Sequence, residues 1–338
     1  TYQGIKGRTV QNLASDPPAA LGAGQVWYNT ASDVLKTSVG VAAWASGGNT
    51  VTANMNSGAA GTLTAGLRIA GYTGPTGGQN VCSEYDGTTW TEVNNLLNPN
   101  SGLRSGVGVQ TAAFAIGGNP PAAPVSSQVQ QYDGTCWTVN PASLNTGRTA
   151  AFNGGITSAA WICGGAPGNK TESEEFDGTS WAASPGSLNE GREDGAGLGT
   201  QTAALIACGH DGPPPFNDYV EEFNGTTWSV ANVYPLGITA PVGNIGTQTA
   251  GMVTTGTSAW PPTPYATQLK SQTTNYDGTS WATTASTTYA RKYACGGGTN
   301  TAAWVACGVI PTTTPATAGS NVCEEFTIAD AVQTITST

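Results

Sequence analysis

The sequence has few charged residues. Asp, Glu, Lys and Arg make up only 9% of its 338 residues, against about 25% in an average soluble domain. The net charge is −10, and no basic patch suits a phosphate backbone, so a nucleic-acid partner is not expected. Apolar runs of about 18 residues are also absent, so membrane insertion is not expected either.

The sequence contains only one histidine. This excludes catalytic and metal sites that need two or more histidines. The single imidazole, His210, lies beside Asp211 in the segment HDGPPPFNDY. One histidine cannot supply the two or three that catalytic zinc sites use, and CxxC zinc spacing is absent. The sequence therefore predicts no catalytic residue, no metal site and no cofactor.

The cysteine count is seven, an odd number. Five of them recur at two positions of the repeat described below: Cys163, Cys208 and Cys307 before a glycine, and Cys82 and Cys323 after a loop. Small, buried apolar residues are the expected role. A single disulfide between Cys307 and Cys323, on neighbouring strands, stays open.

Helical periodicity is absent too, and a repeat takes its place. Segments of the type YDGTTW end at Trp90, Trp137, Trp181, Trp228 and Trp281, at intervals of 47, 44, 47 and 53 residues. Each follows a Gly-rich alternating stretch, a loop and a short strand, so each repeat offers four strands, which we label a to d. In the second repeat these are about residues 106–109, 112–116, 129–132 and 136–139. Asp-Gly or Asn-Gly between c and d predicts a type I′ hairpin.

The number of strands of each type predicts how the ring closes. Six a/b pairs occur, and six c strands carry Tyr85, Tyr132, Phe176, Phe223, Tyr276 and Phe326. The last c strand has no d partner, but VGVAAW, which ends at Trp44, fits the d pattern. An N-terminal strand at about 39–46 would complete the blade of Cys307 and Cys323 and remove an exposed edge.

The predicted fold is therefore all-β: a six-bladed β-propeller of four-stranded antiparallel blades. We expect an extended N-terminal arm for attachment over residues 1–24, the propeller over 25–327 and a tail over 328–338. The repeated tryptophans are predicted to be structural and to pack between blades; they are Trp44, Trp90, Trp137, Trp181, Trp228 and Trp281.

Two sets of charged residues recur with the repeat. The glutamates of strand c share one register, which indicates a structural role on blade faces or between blades; they are Glu84, Glu174, Glu175, Glu221, Glu222, Glu324 and Glu325. Arginines recur near the start of strand a in four repeats: Arg104, Arg148, Arg192 and Arg291. They could form a cationic ring at the mouth of the central channel, or each could tie its blade to a carboxylate or a loop carbonyl.

One face of the predicted propeller carries the b–c and d–a connections, which vary in length and are rich in proline. Variable loops on a rigid scaffold are the usual place for recognition. Their aromatic residues are the binding candidates, with Trp260 and Tyr265 as the best anchors; the set is Trp260, Tyr265, Phe216, Tyr219 and Tyr72. The alternative is that these rings only cover the bases of the loops.

The repeat resembles that of the kelch propellers, with a double glycine after strand b, Tyr in c and Trp in d. Gly117 and Gly118 lead to Tyr132 and Trp137 in this way, and the resemblance covers about residues 26–327. More narrowly, GTQTAAL followed by EEFNGTTW is similar to repeats in kelch-like virion proteins of tailed bacteriophages, especially marine and cyanobacterial ones. The opening YQGIKGRTVQNLASDPPA and the segment GQVWYNTASDVLK look like the leader of such proteins.

That resemblance implies a non-enzymatic protein of the virion surface: a fibre, an appendage tip or a capsid decoration. It implies assembly in the host cytoplasm, virion proteins as partners of the N-terminal arm, and a host glycan or receptor as a further partner. The alternative is a carbohydrate-active enzyme on the same loop face. Glycosidases need two carboxylates facing each other across a cleft, and the loops offer only Asp211 and Asp218.

Overall fold

A computed structural model describes residues 10–17, 24–74, 77–120, 124–259, 265–311 and 318–335. Within these ranges the chain is almost entirely β-strand, and the one α-helix, α1, is the four-residue Tyr265–Gln268. None of the described helical structure is long and apolar enough to cross a membrane. The low helix content agrees with the missing helical periodicity.

The chain divides into two compact units, one of residues 1–43 and 327–338 and one of Trp44–Phe326. In the first unit, β1 (Gln11–Leu13) runs parallel to β2 (Val26–Asn29), and β2 forms a hairpin with the start of β3 (Val34–Ser46). Asp16 accepts hydrogen bonds from Trp27 and Asn29 and pairs with Lys36 at 2.7 Å. Part of the expected N-terminal arm is therefore a paired strand.

The second unit contains four separate four-stranded antiparallel sheets, one for each of the first four repeats. The first is β4 (Gly58–Thr62), β5 (Ala65–Tyr72), β6 (Gly78–Tyr85) and β7 (Trp90–Val93). The second is β8 (Gly106–Val109), β9 (Ala112–Ile116), β10 (Val129–Tyr132) and β11 (Trp137–Val139). The third is β12 (Phe152–Ile156), β13 (Ala159–Cys163), β14 (Ser173–Phe176) and β15 (Trp181–Ala183). The fourth is β16 (Ala196–Thr200), β17 (Ala203–Ala207), β18 (Val220–Phe223) and β19 (Trp228–Val230).

The remaining strands belong to one ten-stranded sheet, so the described residues form four separate four-stranded blades and one larger sheet, not the six four-stranded blades that the sequence predicts. The fifth repeat supplies β20 (Val242–Thr247), β21 (Ala250–Thr254), β22 (Thr273–Tyr276) and β23 (Trp281–Thr284). The sixth supplies β24 (Cys295–Thr299), β25 (Ala302–Ala306) and β26 (Cys323–Thr334), followed by β3, β2 and β1. The two repeats merge because β20 and β24 make one parallel pairing, Ile245 with Gly298.

The first strands of the repeats lie side by side in cyclic order: β4, β8, β12, β16, β20, β24 and again β4. The arrangement is therefore propeller-like. The N-terminal strand takes the place that the sequence predicts, since β3 neighbours β26 and the Gly47 N–H donates to the Cys323 carbonyl. The Trp44 indole contacts Phe326 and donates to Thr273 and Ala285 of the fifth repeat.

The c–d turns differ from the predicted type I′ hairpin. In the first repeat the paired residues are Tyr85 and Trp90, which leaves a four-residue loop. Asp86 accepts the N–H groups of Thr88 and Thr89, and these bonds lower the pKa of its carboxyl group. Only Gly87 has a positive φ, of 90°. An Asx turn therefore replaces the I′ turn, because the Asp side chain supplies the acceptor that the backbone would otherwise provide.

The repeated tryptophans pack against the preceding repeat. Trp90, Trp137, Trp181 and Trp228 are buried, whereas Trp44 and Trp281 are only partly buried. Each ring lies against the Tyr or Phe of its own strand c, as for Tyr132 and Trp137 at 4.9 Å between centroids. Trp228 also donates to Ser173 of the third repeat at 3.1 Å. These indoles connect adjacent sheets.

Replacing Trp137 by Ala should lower the free energy of unfolding by about 3 to 5 kcal/mol, because a large buried ring leaves a cavity between two sheets. Urea unfolding measures the change. Thr138→Ala, an exposed neighbour on the same strand, serves as the control and should change stability by less than about 0.5 kcal/mol. A loss below about 1 kcal/mol for Trp137→Ala would contradict the structural role.

Candidate functional site

Three of the four predicted arginines lie inside the protein and form no cationic ring. Arg148, Arg192 and Arg291 are each at most 1% exposed. They pair with the c-strand glutamates of their own repeats: Arg148 with Glu174 at 2.7 Å, Arg192 with Glu221 at 2.6 Å, and Arg291 with Glu324. The alternative of ties to carboxylates and loop carbonyls is therefore correct for these three.

Arg104 is different, because it belongs to a set of residues that surround the central channel. In each repeat the residue two positions before the start of strand a has a left-handed backbone, and we call this set the channel mouth: Asn56, Arg104, Ala150, Asp194, Ala240 and Tyr293. Backbone hydrogen bonds link neighbouring members, for example Asn56 N–H to the Tyr293 carbonyl at 2.9 Å. Arg104 thus points a cation into the mouth.

The Arg104 guanidinium joins the second repeat to three others, the fourth, fifth and sixth. It pairs with Asp194, 90 residues away, and donates to the Pro241 carbonyl at 3.2 Å. Its Cζ lies 5.5 Å from the centroid of the Tyr293 ring. Burial alone would raise the pKa of Asp194, but Arg104 and His210 outweigh it and hold that pKa below its usual value. Asp194 is therefore a carboxylate at neutral pH.

His210 and Glu193 extend this cluster toward the loop face. His210, from the b–c loop of the fourth repeat, pairs through its backbone with Glu193. Its Nε2 lies 3.9 Å from Glu193 Oε1 and 3.8 Å from Asp194 Oδ2. Burial, and next the Asp194 charge, raise the pKa of Glu193. The two carboxylates flank one imidazole and do not face each other across a cleft.

Lys292 of the sixth repeat lies beside the channel mouth. Its Nζ lies 5.1 Å from the centroid of Tyr293, on the ring that Arg104 also approaches. Burial lowers the pKa of Lys292, and Asp194 opposes this effect. A cation over an aromatic face gains about 0.5 to 2 kcal/mol. The channel mouth and the residues beside it therefore combine acidic and basic side chains with the aromatic ring of Tyr293.

Below the mouth, amide side chains cross the channel. The Gly106 carbonyl accepts from Asn153 at 2.8 Å and from Asn244 at 3.0 Å, which come from the third and fifth repeats. The cavity between these side chains and Arg104 is about 30 Å³, room for little more than water. Recognition at this end of the channel is therefore confined to the mouth and the loops around it.

The predicted aromatic anchors are distributed unevenly. Tyr219 is 45% exposed, Tyr72 is partly buried, and Phe216 is 5% exposed beside His210. Phe216 therefore covers a loop base, as the alternative reading expects. Tyr265 opens α1, but its side chain and all of Trp260 lie outside the described residues.

All seven cysteines are free thiols, so Cys307 and Cys323 are not joined. The described residues contain no cluster of His, Cys, Asp and Glu suited to a metal ion. Cys307 instead interacts with Cys295 and with the Thr50 hydroxyl, whose oxygen is 3.6 Å from its sulfur.

Two functional groups escaped the sequence reasoning. The first is the Glu193, Asp194 and His210 cluster, because its carboxylates precede strand a and lie outside the variable loops. The second is the glutamine of the a–b turn, which bonds two carbonyls of the preceding repeat, as Gln201 does with Ala160 and Phe176. Its recurrence as Gln110, Gln201 and Gln248 was the available signal.

No family model and no curated protein matches the chain. Solved structures do resemble it, among them the structure of YjhT, with a TM-score of 0.65 and 13% identity. That match covers 84% of this chain and 99% of the YjhT chain. At this identity the likeness concerns the propeller fold alone.

Proposed function

We propose that this protein is a non-enzymatic component of a bacteriophage virion surface, a fibre, an appendage tip or a capsid decoration, whose loops bind a host glycan, a receptor or another virion protein. The observation that carries the proposal is the placement of the charged residues: most of the repeated arginines lie in the scaffold and not in the loops. Arg148, Arg192 and Arg291 are consumed in buried ion pairs within the scaffold. The loops around the channel mouth are rich in proline, carry few charges and differ in length, as in a display scaffold.

The scaffold of this proposal is a six-bladed ring, in which the ten-stranded sheet holds two blades. This is supported by the weak connection between the two halves of the ten-stranded sheet, since β20 and β24 pair only at Ile245 and Gly298. In addition, the Gly308 N–H of the sixth repeat donates to the Asn54 carbonyl of the first at 2.8 Å. The same bond joins Gly165 to Arg192 in the third and fourth repeats at 3.0 Å. A ring closed in this way has few free edges.

A carbohydrate-active enzyme is the second candidate, and the channel mouth is its only support. The raised pKa of Glu193 beside the ionised Asp194 is the kind of difference that separates an acid from a carboxylate in glycosidases. However, Asp194 is neutralised by Arg104, and both carboxylates contact the same imidazole. This geometry favours the binding role.

The experiment is binding of the purified protein to a glycan panel and to host cells, with released sugar measured in parallel. Trp260→Ala with Tyr265→Ala should weaken binding at least about tenfold if these rings anchor the ligand. Val109→Ala with Ile156→Ala is the matched control, since both side chains are exposed near the opposite a–b turns. Binding unchanged in the loop variant would refute the anchors. Sugar release that Glu193→Gln abolishes would replace the proposal by the enzyme.

A further inference from the structure

The buried arginines of the third, fourth and sixth repeats occupy one recurring socket. Its walls are the carbonyl at the end of strand b and the side chain two residues before the c-strand aromatic. Arg148 donates to the Gly164 carbonyl at 3.0 Å, to the Glu172 carbonyl at 2.9 Å and to Glu174. Arg291 repeats this set with Cys307, Val322 and Glu324. Each socket is shaped for a guanidinium group.

In the first repeat the guanidinium group in the socket comes from strand b and not from the segment before strand a. Asn54 stands where the other repeats have Arg, and its Nδ2 donates to the Ala70 carbonyl at 3.0 Å. The guanidinium comes from Arg68 on β5, which donates to Ala70 at 3.1 Å and to the Ser83 hydroxyl at 2.8 Å. Arg68 is 0% exposed. In this repeat a carbonyl and a hydroxyl, both neutral, therefore accept hydrogen bonds from a buried guanidinium.

The fifth repeat fills the same place with apolar and hydroxyl groups. Ile238 replaces the arginine and Thr274 replaces the glutamate. Tyr234, 1% exposed, donates its hydroxyl to Thr274 at 3.1 Å. This socket is closed without a cation.

The second repeat leaves its socket open. Asn100 stands six residues before strand a, whereas the arginines stand four before it, but its side chain takes the same place: it donates to the Gly117 carbonyl at 3.0 Å, as Asn54 does to Ala70. Gln130 stands in the glutamate position. The space is a cavity of about 510 Å³ on the loop side of the sheet, and its lining includes Asn98, Asn100, Leu103, Gly117, Gln128 and Gln130. Such a volume is typical of ligand pockets, which measure about 300 to 1,000 Å³.

We propose that the cavity between Asn100 and Gln130 is a binding site for a guanidinium group, presented as an arginine side chain by a partner protein at the loop face. The Gly117 and Gln128 carbonyls correspond to those of Gly164 and Glu172. The Gln130 amide oxygen corresponds to the Glu174 carboxylate: it accepts from the Leu97 N–H at 2.9 Å, as Glu174 accepts from the Asn145 N–H at 2.7 Å, and its second lone pair is the remaining acceptor. The net charge of −10 favours a cationic partner at long range. This site stands whether or not the protein belongs to a virion.

The test uses the full chain, labelled with ¹⁵N, and N-acetyl-arginine methylamide as the probe. Its citrulline counterpart, a neutral urea of the same shape, is the matched comparison. We expect the arginine probe to shift the side-chain amide signals of Asn100 and Gln130 and to bind at least about tenfold more tightly than the citrulline probe. Gln130→Glu should strengthen arginine binding by about tenfold, because the bond becomes charge-assisted.

Asn100→Arg should abolish binding, because the new side chain fills the socket as Arg148 fills its own. Thr138→Arg, an exposed site in the same sheet, adds the same charge and should bind as the unaltered chain does. Equal binding of the two probes, no binding, or binding retained in a folded Asn100→Arg variant would overturn the proposal. If that variant does not fold, Gln130→Glu decides alone, and unchanged affinity would reject the site.

Discussion

Deletion of residues 1–47 is expected to make the protein aggregate and to lower its melting temperature sharply. The deletion removes β3, which neighbours β26, and with it the Trp44 ring, 5.3 Å from Phe326 between centroids. The edge of β26 would then present unpaired N–H and C=O groups, which recruit strands from other chains. The lost indole is partly buried, so its removal adds a further loss of packing to that of the strand pairing.

Light scattering and a thermal melt measure these effects, and a shorter deletion provides the control. Removing residues 1–22 spares β3 and its pairing, so the melting temperature of the sheets should stay within a few degrees and the protein should remain monomeric. The resemblance to virion proteins adds the expectation that this shorter form no longer attaches to particles. A melting curve unaffected by the longer deletion would refute closure by the N-terminal strand.

The strand order could be predicted because the same marker residues recur in each repeat. The Gly of each turn, the c-strand aromatic and the d-strand Trp fix four strands, and the missing sixth d strand identifies the role of Trp44. The merger of two repeats into one sheet could not be predicted, because it depends on one close approach of Ile245 to Gly298. The turn type was predicted wrongly because dipeptide rules omit the side-chain acceptor of Asp86.

The site was harder to predict, because only a difference in register separates the three arginines of the buried ion pairs from Arg104 at the channel mouth. Arg148, Arg192 and Arg291 all stand seven residues before a glycine of strand a with positive φ, whereas Arg104 stands four residues before Gly108. The count was available in the sequence. The ion pair between Arg104 and Asp194 could not be predicted from the sequence, because the two residues are 90 positions apart and come together only when the repeats form the ring.

A large effect of a single substitution is expected at a buried ion pair. Arg192 and Glu221 are 0% and 1% exposed, and Glu221 also accepts from the Asn189 N–H at 2.8 Å. Removing one partner leaves an uncompensated charge in the interior, so Arg192→Ile alone should cost about 3 to 5 kcal/mol, and Glu221→Thr alone a similar amount.

The double variant Arg192→Ile with Glu221→Thr should lose less than the sum of the single variants. It copies the fifth repeat, where Ile238 and Thr274 fill the same positions without a charge, and a pair removed together leaves no buried ion. Denaturant unfolding of the four proteins gives the coupling energy, which we expect to exceed about 1.5 kcal/mol. Additive losses would mean that the two charges do not stabilise each other, and the socket would then be held by packing alone.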